Sequence, residues 1–439
     1  MRLPVENSYQ VLQIMNTLFG LSGLALFFTW LYKSTEHYWL SLGAMIFLAF
    51  SALYWTYSVD AQVYIVSAFF VILTYYAAFK YTENSDWHYV IFLAFASSLA
   101  ILAHQSNVLL VIPCLWLIGK RQKVLGYLGI ILLLAGIPYL MVMVFQHHAG
   151  SVKQGITWLA GAAGSYGPME YQNPYWSFNP ANLLLTCKSV FGVLWTVADS
   201  WWKLTGAILM GLVAFNLSVW REKKDFYRFA LVTIGLYLLF FSVWNPGNGN
   251  YLLGVGILLI YMVALTGTHY SRRSLYALYL VLWSMVLMIT FWVNYENIYA
   301  HTDIKNNRDY GIAAAIAEKV KPQDVVITAG LSGYQAGKVY LPYFYNIQCL
   351  SLDLVFPPRG KEKGLAFLRD LLAQSLKQPH PRIYVLSEVF DDARTEELLK
   401  KYWQITPREV YNIFQPYRLE KVAVLNQGTE PMVLFRISK

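Results

Sequence analysis

Ten apolar runs divide the first two thirds of the chain, at about 10–32, 38–57, 61–79, 88–103, 107–119, 124–147, 204–219, 227–243, 250–268 and 274–294. As helices most approach the length needed to cross a hydrocarbon core about 30 Å thick. The stretch 88–119 is too long for one crossing and short for two. Its polar tetrad, His104-Gln105-Ser106-Asn107, fits a turn better than a helix in lipid, so the run is divided there. That division sets the parity of every segment before it. The segment 182–198 is also apolar, but a crossing there would carry the basic run 221–228 to the opposite side. It reads instead as an interfacial helix with Lys188 snorkelling to the polar layer.

After Asn294 the period changes. A helix is expected over 307–320, ending before Pro322, with further helices at 364–376 and 393–403. VVITA (325–329), CLSLDLV (349–355) and YVLSE (384–388) read as strands, and VAVLN with MVLFRIS as a closing hairpin. Strands alternating with helices predict a small parallel α/β layer. The expected fold is therefore a polytopic α-helical membrane protein of about ten transmembrane helices over 1–296, with an external loop at 148–203. A soluble α/β domain occupies 297–439. There are no internal repeats or low-complexity tracts.

Composition supports the division. The chain is 57% hydrophobic and 13% charged, against about 25% charged for an average soluble domain. Only 25 charged residues lie in the first 300, and 34 lie in the last 139. The net charge of +9 comes from short basic loops, which is a topology signal and not a nucleic-acid-binding surface. With the run divided at His104, one side collects Lys33, Lys80, Lys120, Arg121, Lys123 and the basic residues of 221–228 and 272–273. The other side holds Arg2, Lys153, Lys188 and Lys203 before the final domain. By the positive-inside rule, Asp60, His104, the loop 148–203 and the C-terminal domain are then extracytoplasmic. Cys114, Cys187 and Cys349 are scattered and form no disulfide or zinc spacing. The N-terminus has no cleavable signal pattern.

Two polar clusters interrupt the oily segments, one around Asp60 and one around His104. A carboxylate costs roughly 2.5–3.5 kcal/mol at the bilayer centre on insertion scales and much less at the edge, so Asp60 is a functional candidate by default. It is equally suited to cap a helix starting at Ala61. Gln62 and Tyr64 are either functional or merely interfacial. His104 is either functional or an ordinary turn residue, with Ser106 or Asn107 capping the next helix. Two apolar segments separate the clusters, so they should return to one membrane face. His147-His148 ends a run on that face, and a divalent metal held with Asp60 or His104 is an alternative. The loop GSYGPMEYQNPYWSFNP (164–180) reads either as an aromatic belt or as a platform for sugars or lipid headgroups. GLSGYQAGK (330–338) lacks the spacing of a phosphate loop and is expected to be a strand-to-helix turn. No Ser-His-Asp or GxSxG arrangement is present.

YWTYSVDAQVYIVSAFF (54–70) and, further along, SLAILAHQSNVLLVIP (98–113) resemble the core of polyprenyl-phosphate-dependent membrane glycosyltransferases of the GT-C superfamily. The resemblance is to the bacterial protein O-mannosyltransferase-like branch, where a motif like (A/S)-E-V-Y precedes a helix and a G-N-H-like turn joins two short ones. Gln62 stands where that branch has Glu, Asp60 lies two residues before it, and His104 matches the turn histidine. NRDYG (307–311) and KPQDVVITAGLSGYQAG (321–337) resemble the branch's soluble domain. Such enzymes generally begin with one more helix and an external acidic loop with an HPP-like segment. The start of this chain, LPVENSYQVLQIMNTLFGLSG (3–23), resembles the stretch downstream of the HPP-like segment. A missing N-terminal element carrying the main catalytic acid is therefore expected.

The resemblance implies inverting transfer from a lipid-phosphate-linked sugar, a polyprenyl-phosphate donor, to a protein, glycan or lipid acceptor outside the membrane. Asp60 is then the base candidate. His104 orients it or contacts the donor phosphate, Gln62 and Tyr64 belong to the donor site, and Lys153 and Lys188 are the nearest external cations for the phosphate. Glu170 and Tyr171 are candidate acceptor contacts. Two other readings remain: a non-catalytic subunit that binds lipid-linked sugar, and a lipid or solute transporter. A transporter should carry internal hydropathy repeats.

Overall fold

The structure is a computed structural model that describes residues 8–146, 179–195, 224–244, 248–267, 273–300, 307–329, 340–377, 380–390, 405–425 and 431–439. The chain forms two compact units, one of Met1–His148 with Pro174–Tyr299, the other of Ala149–Asn173 with Ala300–Lys439.

The first unit is helical. It opens with α1 (Ser8–Thr35), α2 (Tyr38–Phe50), α3 (Ala52–Val59), α4 (Tyr64–Glu83) and α5 (Trp87–Ala103). A 3-10 turn at Gln105–Leu110 leads into a helix at Val111–Ile118, and a further helix runs from Arg121 through two π-turns to Gln146. Helices at Pro180–Leu194, Lys224–Trp244, Leu253–Gly267 and Arg273–Ala300 complete it. Among the described residues, five helices are long and apolar enough to cross a membrane: Gln10–Thr35, Tyr64–Glu83, Arg121–Phe145, Lys224–Trp244 and Tyr279–Glu296. The pair α2–α3, bent by 65°, makes a sixth, and four shorter apolar helices lie at Trp87–Ala103, Gln105–Ile118, Pro180–Leu194 and Gly249–Leu265. The expected run at 204–219 lies outside the described residues. The chain does break at the His104 tetrad.

Burial ranks these helices. The apolar window of α4 is 61% buried, while that of Arg121–Phe145 is 6% buried and exposes Leu125, Leu132, Leu133 and Phe145. Lipid tails are as apolar as leucine, so such a face needs no protein cover. Where helices meet closely, small residues allow it. On α1, a Cβ at Gly20 would stand 2.5 Å from Ser58 Oγ, and one at Gly23 would run into the Tyr54 hydroxyl. That hydroxyl itself donates to Gly20 O at 2.7 Å.

Breaking helices in an apolar medium frees carbonyls, and each must find a donor. Ser51, in extended conformation (φ −65°, ψ 142°), breaks α2 from α3. Asn294, fully buried, then donates to Phe50 O and Leu194 O at 2.7 Å each, closing the ends of two short helices with one amide. Tyr81 serves Ile118 O at 3.2 Å and Tyr139 serves Ile101 O at 3.0 Å in the same way.

The second unit holds a five-stranded sheet in the order β2-β1-β3-β5-β4, with β1 Val325–Thr328, β2 Gln348–Ser351, β3 Ile383–Leu386, β4 Arg418–Leu425 and β5 Met432–Ser438. β1 pairs in parallel with β2 and β3, while β5 pairs antiparallel with β3 and β4. The expected parallel layer and closing hairpin thus share one mixed sheet. The expected strand 349–355 is shorter: it ends at Ser351 and the chain turns straight into a helix, Leu352–Ser375, which takes in the expected 364–376 helix. The first helix runs over Arg308–Ala317, capped by Asn307 through the amides of Asp309 and Tyr310. Buried Asp324 ties the amides of Lys321 and Arg382 beside β1 and β3. The expected helix at 393–403 and the GLSGYQAGK turn lie outside the described residues.

Candidate functional site

Asp60 closes α3; it does not open the next helix, which starts at Tyr64. The expected cap on a helix from Ala61 is therefore corrected. Asp60 Oδ1 accepts from Ala61 N at 2.7 Å and Oδ2 from Gln62 Nε2 at 2.9 Å, so the carboxylate is bonded within its own turn. Three side chains of α1 serve the carbonyls left open there. Asn16 Nδ2 donates to both Asp60 O and Gln62 O at 2.6 Å. Gln13 Nε2 donates to Val59 O at 3.0 Å, and the Thr17 hydroxyl lies 2.9 Å from Ser58 O. Asn16 is 1% exposed.

His104 ends α5 and caps the 3-10 turn. The amide of Ser106 points at its Nδ1 at 3.3 Å, and the Ser106 hydroxyl lies 2.7 Å from the same atom. A backbone N–H only donates, so Nδ1 is unprotonated and the neutral ring carries its proton on Nε2. Burial lowers the His104 pKa from 6.5 to about 4, so the ring is neutral at pH 7. His104 is then a donor through Nε2 and not a base. Asn107 does not cap the following helix as expected. Its amide donates to Ala100 O at 2.7 Å and Ser67 Oγ at 2.8 Å, and its Oδ1 accepts from Tyr237 at 3.3 Å.

The two polar breaks meet through aromatic rings. Tyr57, just before the Asp60 turn, lies 4.8 Å from Tyr64, and Tyr64 stacks on His104 at 5.5 Å. Both Tyr64 and His104 reach Tyr251, at 6.2 and 5.4 Å. Tyr251 stacks in turn on Phe241 at 5.0 Å, and the Tyr57 hydroxyl donates to Asn250 Oδ1. These groups surround a small pocket lined by Tyr64, Ser67, His104, Ser106, Asn107, Tyr237, Asn250 and Tyr251, with Ala68, Val71, Leu253 and Gly254.

Of the residues singled out from sequence, Tyr64 and His104 line this pocket, while Asp60 and Gln62 form the neighbouring turn. Lys188 is exposed on the helix Pro180–Leu194 and is not among the lining residues. Lys153, Glu170, Tyr171, His147 and His148 lie outside the described residues. Among the described residues no three His, Cys, Asp or Glu side chains gather as a metal would require. Sequence reasoning missed Asn250 and Tyr251. Their signal was present, since NPGNGNY (245–251) is a third polar break between apolar runs.

Two comparisons find proteins that this chain is similar to. The fold is that of ArnT from Cupriavidus metallidurans. The apo structure matches with TM-score 0.57 at 10% identity, and the structure bound to undecaprenyl phosphate with 0.58 at 11%. Each match covers 97% of this chain and 83% of that one. Within this fold, residues 19–124 match the family model of the protein O-mannosyl-transferase TMEM260 N-terminal domain. No curated protein matches the sequence. The matched stretch contains both the Asp60 and the His104 breaks, the same residues on which the GT-C resemblance rests.

Proposed function

We propose that the chain is an integral membrane glycosyltransferase of GT-C type, moving a sugar from a polyprenyl-phosphate-linked donor to a protein, glycan or lipid hydroxyl on the extracytoplasmic face. The observation that carries this reading is the family-model match over 19–124, which takes in both polar breaks. The ArnT structure bound to undecaprenyl phosphate supports a donor of that lipid class. The about ten crossings and the extracytoplasmic C-terminal domain belong to the same reading, supported by the loop charges.

In inverting transfer the acceptor oxygen attacks the anomeric carbon, its proton passes to a base, and the lipid phosphate leaves with the bonding pair. Asp60 is the base in this reading, because Nδ1 of His104 is engaged by Ser106 and its Nε2 carries a proton. The His104 Nε2–H then hydrogen-bonds a substrate oxygen. Lys153 and Lys188 neutralise the departing phosphate, Gln62 and Tyr64 hold the donor, and Glu170 and Tyr171 contact the acceptor. Asp60→Asn keeps an acceptor for the Ala61 amide and removes the charge. Turnover of a radiolabelled polyprenyl-phosphate sugar should fall about 10²-fold or more, with thermal stability near wild type. Full turnover by that variant removes Asp60 from the chemistry.

One observation favours a second reading. Both Asp60 oxygens already bond within their own turn. In a non-catalytic subunit that binds lipid-linked sugar, the wild-type chain itself shows no turnover while retaining the donor.

A further inference from the structure

His104 presents Nε2–H only while Ser106 holds its other nitrogen, and that contact depends on a turn. The residue is extended (φ −157°, ψ 122°) between α5 and the 3-10 turn at Gln105–Leu110. Asn107 grips it from both sides. The backbone amide of Asn107 donates to His104 O at 3.0 Å. Its side chain donates at 2.7 Å to Ala100 O, the carbonyl that also accepts from His104 N at 3.0 Å. The second side-chain hydrogen goes to Ser67 Oγ at 2.8 Å, and the side-chain oxygen accepts from Tyr237 at 3.3 Å. One partner thus lies on α4 and another on the helix Lys224–Trp244. Asn107 is 5% exposed and Tyr237 2%, so water competes little for these bonds. A buried network with every group paired holds one arrangement, because each alternative leaves a polar group unmet.

We propose that Asn107 and Tyr237 are positioning residues, acting through the turn that keeps His104 Nδ1 against Ser106 and so fixing the ring as an Nε2–H donor. The use of that donor on a substrate rests on the glycosyltransferase reading. The fixing of the ring rests on the network alone. Tyr237 stands 130 residues from Asn107, so its hydroxyl ties the aim of His104 to the packing of a distant helix. Tyr237→Phe takes away the donor to the Asn107 oxygen. Reseating that amide then disturbs the Ala100 carbonyl on which His104 N also depends, and the Ser106 amide loses its line to Nδ1.

The test is nitrogen NMR on the full-length protein, isotope-labelled at its histidines, in detergent micelles. His104 is assigned by difference from His104→Gln. Ring nitrogens with and without a proton resonate far apart, so the tautomer ratio is read directly. At pH 7 wild type should show the neutral His104 ring with Nδ1 bare. Tyr237→Phe should move the ratio about two- to tenfold toward the Nδ1–H form, the scale set by one hydrogen bond. Tyr81→Phe is the matched control. It removes a buried hydroxyl that closes another helix end, at Ile118 O, and should lower the melting temperature while leaving the His104 signals alone. The inference is overturned if folded Tyr237→Phe keeps the wild-type ratio, or if Tyr81→Phe moves it as far. Should Tyr237→Phe not fold, Ser67→Ala, which releases the same amide on its other side, decides by the same criterion. A shifted ratio in a chain whose wild type turns over no lipid-linked donor defeats the transferase reading and leaves the positioning role standing. Turnover by wild type with an unshifted ratio does the reverse.

Discussion

Asn16 shows how one residue fixes another. Its amide holds two carbonyls of the Asp60 turn from inside the protein, while Thr17 is exposed and Gln13 half-buried. Asn16→Ala leaves two part-buried acceptors unmet and should cost about 1–3 kcal/mol. Gln13→Ala and Thr17→Ala should cost less, since lipid headgroups or water can replace them. Thermal unfolding in micelles ranks the three, and equal effects would contradict the role given to burial. His104 offers a pH test. Its folded pKa, about 4, lies below the unfolded 6.5. The unfolded chain therefore takes up the proton first, and stability, flat above pH 6.5, declines as pH falls from 6.5 toward 4. His104→Gln should flatten that part of the melting-temperature profile. Asp60 and His104 were legible in the sequence because a polar residue between apolar runs is conspicuous. Asn16 was not, since a lone amide within a long helix has nothing local to mark it. Its catch lies 44 residues away.

Helices in this protein are finished by other helices. Ordinary caps come from neighbours in sequence, as Thr406 does for the helix Pro407–Phe414. In the helical unit the ends of α2 and α3 are served from distant helices, by side chains of Asn294 and Asn16. The short helices are the reason: each break frees carbonyls where water is scarce. Apolar run lengths predicted the helices and their breaks well, because hydropathy reports burial or lipid directly. They did not predict the bend of 65° at Ser51, which a continuous run at 38–57 conceals. Close packing gives a further test. Gly23→Val would push into the Tyr54 hydroxyl, whose ring is 1% exposed and tethered to Gly20. It should destabilise by about 1–3 kcal/mol as an overpacked site. Gly129→Val, with nothing within 4 Å, should be silent in the same melting assay.

For the whole molecule, the apolar runs before Asn294 give helices, and the strand–helix alternation after it gives a five-stranded sheet. The mixed sheet was less legible, because an antiparallel hairpin and a parallel strand share the same apolar pattern and differ only in their partners. Sidedness is the property most open to experiment. In the orientation proposed from the loop charges, Ser58 and Ser106 lie on the outer face. In a cysteine-free background, Ser58→Cys and Ser106→Cys should react in intact cells with a membrane-impermeant maleimide. Ser85, between α4 and α5, should react as Ser85→Cys only after permeabilisation. The opposite pattern would reverse the orientation and with it the proposed face of transfer.

The Asn16 contact has a consequence for biogenesis. A ribosome adds Asn16 to the chain 44 residues before Asp60 and 46 before Gln62. While those residues are still unmade, α1 sits at the insertion machinery with a polar amide that has not met its acceptors. Release of α1 into lipid is therefore favoured once α3 has emerged behind it, so the first three helices enter the bilayer as a group. A lesion in this contact should lower the yield of inserted protein, read as the fraction of chains recovered in the membrane.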